Sequence, residues 1–281
     1  MGTFVQVAME QRALGPVARV TLNRAELHNA FNEVMIQELQ AAFAEFTRTS
    51  EVRAVVLQAE SKSFCAGADL NWMKKMVDYT FEQNVADAHA LAAMLRTIHD
   101  CPKPVIARVH GAAFGGGVGL LAACDMAVAL DSATFCLSEV KLGLLPAVIS
   151  PFVMKKIGPS GAHRYFLTAE RFSAAEALRL GLISETAPTL EALDACIERL
   201  LDALLANGPE SLAHCKVLIE KVCHTEWERA VDLTTKMIAE RRSSREGQEG
   251  MKAFLEKRQP AWAQGDSAAA LSAASPSGKD A

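Results

Sequence analysis

Strand-like apolar runs alternate with helix-like runs over the first two thirds of the chain, and this alternation is what most limits its possible folds. The run 52–59 is largely apolar and rich in β-branched residues, and 103–109, 125–130 and 133–137 share this character. Such runs are typical of strands that are buried on both faces. Helix-like runs separate them, as in the apolar spacing of Phe31, Met35, Leu39, Phe43 and Phe46. The alternation predicts an α/β layer architecture with right-handed crossovers.

The N-terminal residues carry a different signal. Two short strand-like runs, 3–9 and 17–22, lie on either side of an LGP turn, and this pattern predicts a β-hairpin.

From about residue 188 onward the sequence has helix patterns only. Gly208 followed by Pro209 is typical of one helix ending and the next beginning. We expect an α/β core over 1–190 and a helical assembly region over 191–262. The helices of the second part are predicted at 190–206, 209–223, 225–243 and 247–258. The small, polar, low-complexity stretch 263–281 is predicted to be disordered.

The composition excludes several classes of protein. The formal net charge of −4 argues against binding to nucleic acid or to an anionic membrane surface. No apolar run reaches the roughly 18 residues of a membrane span, and the first residues do not resemble a secretory signal or a transit peptide. The 7 cysteines are odd in number and contain no C-x-x-C pair, which is typical of reduced thiols. We therefore expect a cytoplasmic protein without a zinc site.

Three consecutive glycines, Gly115, Gly116 and Gly117, follow the predicted strand 103–109 and precede a helix-like run. The sequence after them matches neither the Walker A loop nor the dinucleotide-binding fingerprint. Free N–H groups at a helix N-terminus carry partial positive charge, and glycine allows a reacting oxygen to approach them. Close packing of helix against sheet is an equally good reason for the glycines.

A second loop of small residues follows the predicted strand 52–59. It contains Ala66, Gly67 and Ala68, and Asp69 is placed to cap a following helix. Two such loops could each supply one N–H group to a single carbonyl oxygen.

These motifs resemble, in order along residues 3–260, the signatures of the enoyl-CoA hydratase/isomerase (crotonase) superfamily. They are FCAGADL, KPVIARVHGAAFGGGVGLLAACDMAVA, ATFCLSEVKLGLLP, TAERFSAAEALRLGLISE and GMKAFLEKR. The resemblance implies a spiral of ββα units with a C-terminal helical trimerisation region, and trimers that pair into hexamers. Within the superfamily, ADLNWMKKM and LPAVISPF resemble the methylglutaconyl-CoA and carboxygeranoyl-CoA hydratase branch.

The resemblance also implies roles for particular residues. The backbone N–H groups of Ala68 and Gly116 would hold the thioester oxygen of an acyl-CoA, and Glu139 would act as general acid and base. A second glutamate is usual in hydratases, and Gly119 stands at its position. One carboxylate suffices in principle to move a proton between C2 and C4 of an enoyl chain. A hydratase would have to activate water and return a proton to C2 with Glu139 alone, or use ordered water or the substrate's own carboxylate.

Contacts to coenzyme A are implied for the loop residues Ala66, Gly67, Asp69, Leu70 and Gly115 and for the C-terminal Phe254 and Lys257. Some relatives have a CoA-binding lysine where this chain has Asn71, so Lys74 or Lys75 could take over that phosphate contact. His110, His163 and Cys65 lie near the motifs and are interpreted as packed residues. We expect no cofactor apart from the coenzyme A of the substrate, and no metal.

The function implied is hydration of a 2,3-unsaturated acyl-CoA in leucine or fatty acid breakdown, with a branched, carboxylated acyl group such as 3-methylglutaconyl favoured. Two alternatives stay open. The single glutamate favours a Δ3,Δ2-enoyl-CoA isomerase, and the loss of the second carboxylate would also fit a non-catalytic acyl-CoA-binding or RNA-associating scaffold, although the acidic pI argues against RNA.

Overall fold

The computed structural model describes residues 2–265. The strands are β1 (Val5–Glu10), β2 (Val17–Leu22), β3 (Ala54–Ala59), β4 (Ser63–Cys65), β5 (Val105–Val109), β6 (Ala112–Phe114), β7 (Met126–Leu130), β8 (Thr134–Cys136), β9 (Phe172–Ser173) and β10 (Glu185–Ala187). The helices are α1 (Glu33–Arg48), α2 (Leu70–Met76), α3 (Phe81–His99), α4 (Gly116–Ala123), α5 (Ser150–Thr168), α6 (Ala174–Leu180), α7 (Leu190–Leu205), α8 (Pro209–Cys223), α9 (Trp227–Ser243) and α10 (Arg245–Leu255). The predicted tail 263–281 lies outside the described residues from 266 onward.

A repeated unit of two strands and a helix builds the core. In each unit the first strand joins one sheet and the second strand joins another, as in β3–β4–α2, β5–β6–α4 and β7–β8–α5. The first sheet has the order β1-β2-β3-β5-β7-β10 and the second β4-β6-β8-β9. The predicted hairpin is confirmed, since β1 pairs with β2 antiparallel, whereas β2, β3, β5, β7 and β10 pair in parallel. This arrangement is the predicted α/β spiral of ββα units.

Hydrophobic burial explains why the central strands β3, β5 and β7 of the first sheet could be predicted from the sequence, whereas β10 at its edge was not predicted. Both faces of the sheet are covered at β3, so that Val55 and Leu57 point into the main core whereas Ala54 and Val56 point into a second cluster formed with α7. A strand buried on both faces needs apolar residues at every position. The second sheet was not predicted as strands, apart from β8, because its segments have only two or three residues.

The C-terminal helices form a separate layer. Helix α7 packs against the first sheet through Leu193, Ile197 and Leu201, which recur at helical spacing and are fully buried. Helices α8 and α9 bury no residue, and α10 buries only Ala253. Trp262 lies beyond α10 and donates its indole N–H to the carbonyl of Ala206, which ties the end of the layer back to α7.

Candidate active site

Ala68 lies in a short parallel bridge with Phe31, and the bridge fixes the direction of its backbone. The N–H of Phe31 donates to the carbonyl of Gly67 at 2.6 Å, and the N–H of Asp69 donates to the carbonyl of Phe31 at 2.8 Å. Both bonds use the neighbours of Ala68, so its own N–H and C=O point to the opposite side of the segment. Within residues 2–265 no backbone carbonyl accepts from the Ala68 N–H.

A buried ion pair holds this loop in place. The carboxylate of Asp69 is 3% exposed; one oxygen accepts from the N–H groups of Asn71 and Trp72, at 2.6 and 3.0 Å, and thereby caps α2 as predicted. Its other oxygen lies 2.7 Å from the guanidinium of Arg24. Burial by itself raises the pKa of Asp69, but the two N–H groups and Arg24 lower it overall. The Asp69 side chain therefore positions the loop, and a ligand could reach only its backbone.

Asn29 ties the same region to the end of β3. Its side-chain N–H₂ donates to the carbonyls of Glu60 and Ser63, at 2.8 and 2.9 Å, and its side-chain oxygen accepts from the N–H of Arg24. Asn29 is fully buried and has a left-handed backbone, with φ of 56°. Asparagine tolerates this conformation better than most residues. The role of Arg24 and Asn29 in positioning this loop was not predicted from the sequence. The only signal was that these two polar residues lie close to an apolar run.

The glycine segment supplies the second free N–H group. Gly115 has φ of 49° and donates its N–H to the carbonyl of Cys136 at 2.8 Å, while its carbonyl accepts from Val118 and Gly119. Helix α4 therefore begins at Gly116, as predicted, and the Gly116 N–H has no backbone acceptor among the described residues. The first N–H groups of a helix have no partner within it.

The two loops meet at Gly67. A Cβ placed on Gly67 would lie 2.9 Å from the carbonyl oxygen of Phe114 and 3.7 Å from the Gly116 nitrogen. Gly67 also has φ of 91°, a backbone conformation that residues other than glycine rarely adopt. The Ala68 and Gly116 segments are thus packed against each other without an intervening side chain.

Close packing is a second reason for the glycines. A Cβ on Gly117 would lie 2.4 Å from the carbonyl oxygen of Cys65, and one on Gly116 would lie 3.0 Å from the ring of Phe31. The two interpretations of the glycine run are therefore compatible, because Gly117 permits helix–strand contact and Gly116 starts the helix with a free donor.

Glu139 lies next to these donors. It follows β8 and begins a short 3-10 helix, and one carboxylate oxygen would lie 3.2 Å from a Cβ on Gly115. Its other oxygen is buried and has no hydrogen-bond partner among the described residues. Burial raises the pKa of Glu139, and its own backbone N–H only partly offsets this. A carboxylate with a raised pKa and a free oxygen is suited to accept and return a proton.

The space beside Gly119 is occupied by the side chain of Ile149. A Cβ on Gly119 would lie 2.2 Å from Cγ2 and 2.7 Å from Cβ of Ile149, which is 3% exposed. Any side chain at position 119 would need the space that Ile149 occupies. Glu139 therefore has no second carboxylate beside it at this position.

The residues predicted to contact coenzyme A differ in exposure: Leu70, Phe254 and Lys257 are exposed, whereas Gly67, Asp69 and Gly115 are buried. Leu70 is 74% exposed at the start of α2, and Lys75 pairs with Glu33 at 2.8 Å. Phe254 is 83% exposed on α10, which packs against α8 and α9, and Lys257 follows that helix with a left-handed backbone. Ala66 donates its N–H to the carbonyl of His28 in the loop beside Ala68. Their roles in binding stay predictions.

The histidines and the cysteine near the motifs are packed or paired. His110 contacts the carbonyl oxygen of Ser61 at 2.8 Å, and His163 contacts that of Pro159. Cys65 is fully buried, and burial raises its pKa to about 12. Residues 2–265 contain no group of three His, Cys, Asp or Glu side chains that could hold a metal ion. None of the helices in the same range is long and apolar enough to cross a membrane.

Comparison with known proteins shows the family of the chain. Residues 12–265 match the family model described as enoyl-CoA hydratase/isomerase. A putative enoyl-CoA hydratase of Thermus thermophilus is 33% identical over 90% of this chain and 99% of its own length. The enoyl-CoA hydratase AKT6-1 of Alternaria alternata is 37% identical over 72% of this chain, and the match spans 66% of that relative. A solved structure of an enoyl-CoA hydratase from Shewanella pealeana has a TM-score of 0.87 and 45% identity, covering 92% of this chain and 95% of that one. The chain belongs to the enoyl-CoA hydratase/isomerase (crotonase) superfamily.

Proposed function

We propose that the protein hydrates a 2,3-unsaturated acyl-CoA, with a branched, carboxylated acyl group such as 3-methylglutaconyl as the favoured substrate. The observation that carries the proposal is the juxtaposition of two loops with free N–H groups, at Ala68 and Gly116, with the unpartnered carboxylate oxygen of Glu139. Enoyl-CoA hydratases among the relatives support the reaction class.

In the proposed reaction the two N–H groups bind the thioester oxygen. Glu139 accepts a proton from water as the water oxygen bonds to C3, and the electrons of the C2–C3 double bond move toward the thioester to give an enolate. The N–H groups stabilise the negative charge that develops on this oxygen. A proton then returns to C2, so that one water molecule is added in total. The chain supplies backbone donors and one carboxylate, and coenzyme A enters only as part of the substrate.

Because the site has a single carboxylate, the scheme must name the group that delivers the proton to C2. Ile149 occupies the space beside Gly119, so Glu139 returns the proton itself, or ordered water or a group on the substrate supplies it. A glutaconyl-type acyl group carries a second carboxyl group that could do so. This is the reason for favouring a carboxylated substrate.

The same observation favours a second candidate, the Δ3,Δ2-enoyl-CoA isomerase. A single base that removes a proton at one carbon and returns it at another needs no activated water. In deuterated water an isomerase would incorporate label at C2 and C4 without forming a hydroxyacyl product.

A substrate panel tests the proposal. Purified protein is given 3-methylglutaconyl-CoA, simple 2-enoyl-CoAs and 3-enoyl-CoAs, and the thioester absorbance and the products are followed for wild type and Glu139→Gln. We expect hydration by wild type and a loss of about 10²- to 10⁴-fold in Glu139→Gln. Absence of hydration of every 2-enoyl-CoA would refute the proposal, and activity with 3-enoyl-CoAs alone would establish the isomerase. Binding without any turnover would establish the scaffold.

A pair of variants at Gly116 isolates the backbone donor. Proline is tolerated at the first position of a helix but lacks the N–H group. Gly116→Pro and Gly116→Ala both place a Cβ against the ring of Phe31, and only the first removes the donor. We expect kcat to be about 10²- to 10³-fold lower in Gly116→Pro than in Gly116→Ala. Equal rates in the two variants would exclude Gly116 as the donor.

We further propose that the protein forms a homotrimer, or a hexamer of paired trimers, through its C-terminal helices. These helices expose large apolar side chains in one protomer: Val217, Ile219, Val222, Trp227, Val231, Ile238, Met251, Phe254 and Leu255. Apolar surface of this extent is typical of protein interfaces. Assembly could bring Phe254 and Lys257 of one protomer to the coenzyme A of another. Sedimentation equilibrium gives the mass of the assembly, and a monomer would contradict this proposal.

A further inference from the structure

One face of α3 forms the wall of a groove. Val85, Ala88, His89 and Ala92 recur at helical spacing and line an open groove of about 340 Å³, with Ala147 and Val148 on its other side. Of the six side chains that line it, His89 is the only polar one.

The groove adjoins the candidate active site through Ile149. This residue directly follows Val148 and packs against Gly119, which lies one helical turn after Gly115 in α4. Gly115 in turn is next to the Glu139 carboxylate, and α3 itself packs against α4. Ile149 and one turn of α4 therefore connect the groove to the residues around Glu139.

His89 has no partner in the described part of the chain. The other histidines each contact a hydrogen-bond or ion-pair partner; they are His28, His99, His110, His163, His214 and His224. His89 has no such contact within residues 2–265. Its imidazole N–H therefore remains available to a ligand in the groove, and a neutral imidazole already offers one donor.

We infer that this groove binds the distal end of the acyl chain and that His89 is a specificity-determining residue for acyl groups ending in a carboxylate. The alkyl side chains contact the hydrocarbon part of such a ligand, and the imidazole donates a hydrogen bond to the carboxylate. His89 is exposed, and a chain ending in a methyl group would gain no such hydrogen bond from it. The inference rests on the proposed function, because it takes the ligand to be an acyl-CoA.

Binding of two unreactive thioesters tests the inference. Glutaryl-CoA and pentanoyl-CoA both have five-carbon acyl groups, and they differ in ending with a carboxylate or a methyl group. Their dissociation constants are measured by calorimetry for the wild type and for His89→Leu and His89→Gln. A hydrogen bond to a charged group corresponds to about tenfold or more in affinity. We expect His89→Leu to weaken glutaryl-CoA by at least that factor and pentanoyl-CoA by less than about twofold, and His89→Gln to keep most of the preference.

A groove-filling variant supplies the second arm. Ala92→Leu adds three carbon atoms inside the groove and should weaken both thioesters, while free coenzyme A binds as to the wild type. The inference is overturned if His89→Leu changes both ligands equally, or if Ala92→Leu changes neither.

These measurements separate the inference from the proposed function, because neither thioester has a double bond to hydrate. A wild type that hydrates no 2-enoyl-CoA but prefers glutaryl-CoA through His89 would refute the proposed function alone. A wild type that hydrates 2-enoyl-CoAs but shows no preference that depends on His89 would refute the inference alone.

Discussion

The contact between Gly119 and Ile149 leads to a quantitative prediction about stability. Gly119→Ala places a methyl group 2.2 Å from Cγ2 of Ile149, well inside van der Waals contact, and Ile149 is buried in the main core. Overpacking of this kind destabilises by about 1–3 kcal/mol. We therefore expect Gly119→Ala to lower the free energy of unfolding by an amount in that range.

Shortening the opposing side chain should partly cancel this effect. Ile149→Ala alone should cost about 2–5 kcal/mol, because it removes buried methyl groups and leaves a cavity. In the double variant the clash with Cγ2 is removed, whereas the Cβ atoms of residues 119 and 149 stay 2.7 Å apart, so the two effects should not add and the rescue should be partial. The expected coupling is at least about 1 kcal/mol in favour of the double variant, within the range seen for contacting residues.

Urea denaturation of the four proteins at one protein concentration measures this coupling, with Gly119→Ala/Ile149→Val as control. Valine keeps the Cγ2 atom that causes the clash, so this control should show little rescue. If the Ile149→Ala combination is additive to within about 0.5 kcal/mol, the two residues are not in contact and the reasoning is wrong.

Three further predictions concern the loops that carry the site. Burial raises the pKa of Glu139 in the folded protein, so the ionised carboxylate destabilises the fold as the pH rises through that pKa. The melting temperature of Glu139→Gln relative to wild type should therefore increase from pH 4 to pH 8, and a constant difference would contradict this. Asp69→Asn should lower the free energy of unfolding, measured in urea, by about 3–5 kcal/mol, because it leaves Arg24 buried without its counter-charge. As a control, Asp100→Asn removes an exposed pair with Arg96 and should lower it by less than about 1 kcal/mol. Similar losses in the two variants would argue against the buried pair. Gly67→Ala and Gly143→Ala both place alanine at positive φ, but only the Cβ at position 67 meets another atom, the carbonyl oxygen of Phe114. Gly67→Ala should therefore give the larger fall in melting temperature and in activity. An equal fall in both variants would exclude the contact.

Local signals account for the elements that sequence reasoning placed well. The β3 strand, the apolar face of α1 and the cap of α2 by Asp69 each depend on residues close together in the chain. Hydrogen bonds within a helix and burial on both faces of a strand leave a periodic record in the sequence. The segments that were missed, β4, β6, β9 and β10, are too short to repeat any period and owe their pairing to distant strands.

The sequence by itself determined the class of fold and, through the order of its motifs, the family and the residues to consider. It placed Ala68, Gly116 and Glu139 on three separate segments, but the packing that brings the segments together involves residues with no local signal. The Arg24–Asp69 pair spans 45 positions, and the Asn29 side chain reaches carbonyls more than 30 positions away. Gly119 shows most clearly what tertiary structure decided. In the sequence, Gly119 stands where a carboxylate is expected. Only the fold shows that Ile149, 30 residues later, fills the space that a side chain at position 119 would need. Contact between buried side chains depends on how helices pack, which the sequence does not record locally.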